Sequence, residues 1–103
     1  MWESYRKLFT GYLRLERSMS GHSVEAYLRD VEKLEQYLMA QGKEQLRPQE
    51  VTLEDLQGCV QWIARLGMTA TSQARTISGL KAFYRFLLLE DMANFQCRGA
   101  VLH

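Results

Sequence analysis

Proline is nearly missing: Pro48 is the one instance in 103 residues, and the seven glycines are dispersed. That scarcity excludes a turn-rich β-sandwich, a collagen-like repeat and a proline-rich disordered linker. Cysteine and histidine are equally scarce, with two of each. Cys59 and Cys97 stand far apart, with no Cys or His at ligand spacing, so they read as small apolar fillers in a reduced, metal-free protein. No uninterrupted apolar stretch approaches the roughly 18 residues needed to span a bilayer. The N-terminal stretch from Met1 to Lys7 lacks the basic start and apolar run of a signal peptide. The expected location is cytoplasmic, with no membrane partner.

Catalytic patterns are missing too. There is no Gly-rich phosphate loop, no GxSxG elbow, no HExxH and no Cys/His dyad. His103 is the last residue and is not expected to act in catalysis. His22 reads either as a solvated residue at a helix start or as a donor to a phosphate or base edge. No catalytic residue, metal site, cofactor or small-molecule substrate is expected, which leaves binding as the leading class.

What is present is helical periodicity over most of the chain, with 47% hydrophobic residues. The length suits one small domain with a single core. The expected fold is all-α, a compact bundle of four main helices. The first runs from about Glu3 to Arg17, with Trp2, Tyr5, Leu8, Phe9, Tyr12, Leu13 and Leu15 on its apolar side. Ser20 is positioned to cap a second helix that reaches about Ala40 and stops at Gly42, turning Val24, Tyr27, Leu28, Val31, Leu34 and Leu38 inward. The polar stretch from Gly42 to Val51 is a connecting loop. Thr52 and Asp55 form a capping box for a third helix, which buries Leu56, Cys59, Val60, Ile63 and Ala64 and ends before Gly67. A fourth helix, with Thr71 as its expected cap, buries Ile77, Leu80, Phe83, Tyr84, Leu87 and Leu88. Phe86 and Leu89 project onto or beside its polar face, to be covered by the tail or by a partner. From Glu90 the periodicity is lost, and the expected division is a domain over 1–92 followed by an irregular or short-helical tail over 93–103.

Thirteen Lys and Arg against twelve Asp and Glu leave a net charge of +1, too little to attract nucleic acid through the whole-molecule field. The distribution is uneven. From Ala70 to Leu89 there are three basic residues and no acidic one, and Thr71, Ala74, Arg75, Ser78, Lys81, Ala82 and Arg85 share the side opposite the apolar stripe. Helix two carries a similar strip, His22, Ala26, Arg29 and Lys33, flanked by Glu25 and Glu32. Two readings stay open for these faces. They are anion-binding surfaces, with the small residues allowing close approach, or they are ordinary solvated faces with dispersed and partly paired cations. A helix fits the major groove of duplex DNA, where Arg and Lys bond guanine edges or phosphates.

The stretch Ser20-Gly-His-Ser-Val-Glu-Ala-Tyr-Leu-Arg-Asp-Val31, followed by Ala70-Thr-Ser-Gln-Ala-Arg-Thr-Ile-Ser-Gly-Leu-Lys-Ala-Phe-Tyr-Arg-Phe-Leu87, resembles the N-terminal core-binding, SAM-like domain of tyrosine recombinases and phage integrases, closest to the Xer type. The first family motif is met by Ser20, Ser23, Tyr27, Asp30 and Val31. The second is met by Thr71 or Ser72, Arg75, Ser78, Lys81, Phe83, Tyr84, Phe86 and Leu87. The resemblance implies half of a clamp on double-stranded DNA, in which helix two offers His22, Ser23, Arg29 and Lys33, and helix four offers Thr71, Ser72, Gln73, Arg75, Ser78, Lys81 and Arg85. It also implies other recombinase protomers as partners, with Phe86, Leu89 and the first helix as candidate contacts. Leu28 and Ala82 stand where the family often has further basic residues, and Asn94 is followed by Phe where Pro is usual.

The family's catalytic domain, which joins DNA through a phosphotyrosyl link, has no counterpart in these residues. Tyr5, Tyr12, Tyr27, Tyr37 and Tyr84 fall mostly on apolar faces. The chain by itself is therefore expected not to cut or rejoin DNA. The chief alternative is a protein-interaction helical bundle without DNA binding. A helix-turn-helix regulator is disfavoured by the long polar loop between helices two and three.

Overall fold

The computed structural model describes the backbone of residues 2–102 and the side chains of residues 2–90. The described residues form four α-helices and one 3-10 turn: α1 over Trp2–Leu15, α2 over Gly21–Ala40, the 3-10 turn over Pro48–Glu50, α3 over Leu53–Arg65 and α4 over Ala70–Leu102. The all-α bundle expected from the sequence is what forms.

Local chemistry sets the helix ends. Ser20 accepts from the Ser23 amide at 3.4 Å and caps α2. Gly42, at φ +71°, turns the chain out of α2 in the left-handed conformation that glycine adopts without strain. Thr52 and Asp55 cap α3 reciprocally, the Asp55 amide donating to the Thr52 hydroxyl at 3.1 Å and the Thr52 amide to the Asp55 carboxylate at 3.0 Å. Gly67, at φ +93°, ends α3 in the same way as Gly42 ends α2.

Two ends differ from expectation. The cap of α4 is Thr69, which accepts from the Ser72 amide at 3.2 Å, and not Thr71. With α3 closed at Gly67, only Met68 separates the turn from the new helix, so winding begins two residues earlier. Helix α1 stops at Leu15, short of Arg17, because Ser18 takes a left-handed turn at φ +50°.

The stretch expected to be an irregular or short-helical tail is helical in its backbone, as a continuation of α4 to Leu102 and not as a separate element. Its sequence contains no proline, so nothing in it forces a break, and its lone Gly99 costs a helix only about 1 kcal/mol. The side chains of Cys97 and His103, and any cover that the tail gives to Leu89, lie outside the described residues.

Helix α2 is central, packing on α1, α3 and, most extensively, α4. The core joins Trp2, Phe9 and Leu13 of α1 to Val24, Val31, Leu34 and Leu38 of α2, Cys59 of α3, and Leu80, Phe83, Phe86 and Leu87 of α4. Each fully buried side chain of this size contributes about 1.5–3 kcal/mol relative to exposure. Phe86, expected beside the polar face, is instead 2% exposed. Its ring meets Phe9 at 5.4 Å and Tyr12 at 5.3 Å, because α1 crosses α4 at that point. Leu88, expected inside, is exposed, as are Leu8 and Leu15 of α1 and Ala64 of α3.

The loop between α2 and α3 is tied down from three directions. The Trp2 indole donates to the Leu46 carbonyl at 2.8 Å, the Tyr84 hydroxyl donates to the Pro48 carbonyl at 2.8 Å, and the Lys43 ammonium donates to Asp55 at 2.8 Å. Pro48 is itself buried. The loop therefore belongs to the same folded unit as the helices on either side of it.

Candidate nucleic-acid interface

Along the seam between α2 and α4 the backbones come unusually close. A β-carbon added at Gly79 of α4 would lie 2.8 Å from the Asp30 β-carbon of α2, so only glycine fits there. Close approach brings the outward residues of the two helices onto one surface. Three grooves open along it. One is lined by Ser23, Ala26, Tyr27, Asp30, Arg75 and Ser78. A second shares Ala26, Asp30 and Arg75 with the first and adds Arg29, Lys33, Met68, Ser72 and Thr76. A third shares Tyr27 and Ser78 with the first and adds Arg17, Lys81, Ala82 and Arg85. Shared walls make them one continuous depression.

Of the residues predicted from sequence, this surface gathers Ser23, Arg29 and Lys33 from α2 with Ser72, Arg75, Ser78, Lys81 and Arg85 from α4. Three predicted residues do not line it. His22 and Thr71 are exposed in the first turns of their helices. Gln73 turns its amide back to donate to the Met68 carbonyl at 2.9 Å, consolidating the start of α4. Arg17 was not predicted, since the pattern of the first helix shows only that it lies off the apolar stripe. The left-handed turn at Ser18 carries the chain from it into α2.

The electrostatics of the surface are one-sided. Among the described residues, Arg17, Arg75, Lys81 and Arg85 have no carboxylate within ion-pair distance, Arg29 reaches Glu25 only at 4.0 Å, and Lys33 lies 3.7 Å from Asp30. Elsewhere Arg6 pairs with Glu35, Lys43 with Asp55 at 2.8 Å and Arg47 with Glu50 at 3.4 Å, Lys7 lies 3.8 Å from Glu3, and Arg14 and Arg65 have no such partner among the described residues. A chain that is nearly neutral overall thus presents six cations around one depression, and such a face attracts polyanions over about a Debye length.

Asp30 forms the floor. It is 8% exposed and borders two of the grooves, with the fully buried Thr76 beside it. Burial raises its carboxyl pKa above the ordinary value, while Lys33, Thr76 and Arg75 pull it back down.

Cys59 is buried, and desolvation pushes its thiol up to about 11, leaving it protonated and inert at neutral pH. No group of three or more His, Cys, Asp or Glu converges to hold a metal ion among the described residues. No helix among them is long and apolar enough to cross a membrane.

The sequence pattern of the phage integrase N-terminal SAM-like domain matches residues 7–91, a span that includes α2 and every residue of α4 that lines the seam. The chain belongs to this family. Among its relatives, a tyrosine recombinase XerD of Chlorobaculum tepidum is 34% identical over 93 residues, covering 90% of this chain and 30% of that protein. A tyrosine recombinase XerC of Bacillus licheniformis is 29% identical over 92 residues, covering 89% of this chain and 30% of the relative. A XerC of Listeria innocua is 34% identical over 86 residues, covering 84% and 28%. The chain thus spans less than a third of the length of the curated relatives it matches. No solved structure matches it significantly. The resemblance carried by the two stretches from Ser20 to Val31 and from Ala70 to Leu87 is that of the family itself, and both stretches supply the walls of the α2–α4 surface.

Proposed function

We propose that this chain is the duplex-DNA-binding module of a site-specific tyrosine recombinase, with α2 and α4 laid against the DNA during recombination or integration. The observation that carries the reading is the continuous surface that joins Arg17, in the connection before α2, with Arg29 and Lys33 of α2 and Arg75, Lys81 and Arg85 of α4. Phosphates want fixed cations at intervals along a shallow, non-apolar surface, and bases want short hydroxyl and amide side chains close by. Both are available here, the second from Ser23, Ser72 and Ser78 on the surface and from Thr71 in the adjoining first turn of α4, with the His22 imidazole exposed in the first turn of α2; the Gln73 amide is held by the Met68 carbonyl. In this reading residues 1–92 form the core-binding unit and 93–103 a tail. Cleavage and rejoining fall to the part of the recombinase outside the span that these residues match. The wider partners are then further protomers on paired sites, to which exposed Leu89 and α1 are open, whereas Phe86 is committed to the core.

A second reading is a protein-interaction bundle, favoured by an apolar groove between α3 and α4 lined by Leu53, Leu56, Val60, Ile77, Leu80 and Tyr84, which meets the basic surface only at Lys81. Fluorescence polarisation of a labelled duplex of about 20 base pairs separates the two. The DNA reading expects log affinity to fall linearly with log salt, with a slope of about −0.9 per phosphate engaged. Absence of duplex binding at low salt would leave the interaction bundle as the better account.

A further inference from the structure

Asp30 is an odd residue to find at the centre of a basic surface. A carboxylate there repels DNA and loses hydration on burial, so ordinary patterning would put an apolar or neutral side chain in its place. Three features of its surroundings give it a purpose. The Gly79 backbone abuts it, with no room for a β-carbon between them. The Lys33 ammonium sits 3.7 Å from its Oδ1, and the Lys33 side chain is only 33% exposed where that of Arg29 on the same strip is 72% exposed. Arg75 borders both of the grooves that Asp30 floors. Long cationic side chains on a helix surface normally sample many rotamers, and ordering them on a ligand costs entropy. A buried acceptor beneath them restricts that freedom before any ligand arrives.

From this geometry we propose that Asp30 is a positioning residue of the α2–α4 surface: held against Gly79, its carboxylate draws Lys33 inward over the seam and fixes it for contact with DNA. The inference rests on the DNA-binding reading for its purpose, but the ordering of Lys33 can be measured without DNA.

The sign of one substitution separates positioning from plain electrostatics. Asp30→Asn keeps the size of the side chain and removes a negative charge. Charge alone would tighten duplex binding. Positioning requires the reverse, a loss of roughly three- to tenfold, the range of one ordered ion-pair contact. That loss should disappear when Lys33 is already replaced by Ala. Unchanged or tighter binding by Asp30→Asn overturns the proposal.

The second measurement uses the unaltered full chain. Side-chain 15N relaxation should show the Lys33 ammonium more restricted than that of exposed Lys81, and equal mobility overturns the proposal even if Asp30→Asn does not fold. Should the unaltered chain fail to bind duplex, the DNA reading falls, and the relaxation result alone decides whether Asp30 orders its neighbours.

Discussion

The hydroxyl of Tyr84 on α4 donates to the carbonyl of Pro48, 36 residues away in the loop between α2 and α3, at 2.8 Å. Burial, with Asp55 and Cys59 nearby, raises the phenol pKa well above its usual value. The bond therefore persists throughout the range in which the protein is handled. It supplies a second partner for the carbonyl of buried Pro48, which otherwise accepts only from the Val51 amide at 3.4 Å. Tyr84→Phe keeps the ring against Phe83 and leaves that carbonyl with only the long bond from the Val51 amide. Urea unfolding should show a loss of about 1–2 kcal/mol with an unchanged slope, whereas a solvated carbonyl would leave stability within a few tenths of wild type.

Glycine-to-alanine changes at two helical positions should move stability in opposite directions. At Gly11 in α1 an added β-carbon meets nothing within 4 Å, and the substitution should stabilise by about 0.5–1 kcal/mol through helix propensity alone. At Gly79 the same propensity gain is opposed by the Asp30 β-carbon at 2.8 Å, an atom held by the α2 backbone that cannot swing away. Gly79→Ala should destabilise by about 1–3 kcal/mol, as overpacking does. Thermal unfolding of the two variants beside wild type tests the pair, and a stable Gly79→Ala would mean that α2 and α4 can separate without loss.

Asp55 should make the fold sensitive to acid. Hydrogen bonds from Lys43 and from the Thr52 amide lower its pKa below the ordinary 3.8. A carboxyl whose folded pKa is depressed contributes stability that is fully present above the unfolded value and is lost as pH falls through the folded one. Asp30 has the opposite sign: its pKa is raised, so its ionisation opposes folding, and it favours the folded state most below 3.8. Asp55→Asn should therefore melt lower than wild type at neutral pH, with the gap closing below about pH 4. For Asp30→Asn the gap should shift in the stabilising direction as pH rises. Melting curves from pH 3 to pH 7 on the three proteins read both signs.

The sequence was most informative where structure is local. Ser20, Thr52, Gly42 and Gly67 could be assigned from a few neighbours because capping and left-handed turns are decided within one helical turn. Phe86 could not be. Projected on an isolated helix it falls beside Lys81 and Arg85, and only the crossing of α1, which brings in Phe9 and Tyr12, makes that side of α4 a core. Leu88 is the reverse case, apolar by pattern but beyond the reach of any facing helix. The outward strips of α2 and α4 were legible as strips. Their union was not, because it depends on Gly79 admitting Asp30, and a glycine in a helical pattern reads only as a weak helix former. Arg17 joins the surface by the same kind of long-range placement.

Binding energetics on the joined surface should follow the ion pairs more than the count of charges. Arg75, Lys81 and Arg85 have no carboxylate within ion-pair distance among the described residues, whereas Lys7 and Arg47, away from the grooves, face Glu3 at 3.8 Å and Glu50 at 3.4 Å. Replacing any of the first three with Ala should weaken duplex binding and reduce the salt slope by about one, since each removes a cation free to displace counterions. Lys7→Ala and Arg47→Ala should leave the slope unchanged. Arg29 is intermediate, because Glu25 lies 4.0 Å away and competes with phosphate for it. Glu25→Gln should therefore tighten binding and steepen the salt dependence, an effect that vanishes in the Arg29→Ala background. If all of these variants weakened binding alike, the interaction would depend on net charge alone, and the α2–α4 seam would lose its claim to be where DNA sits.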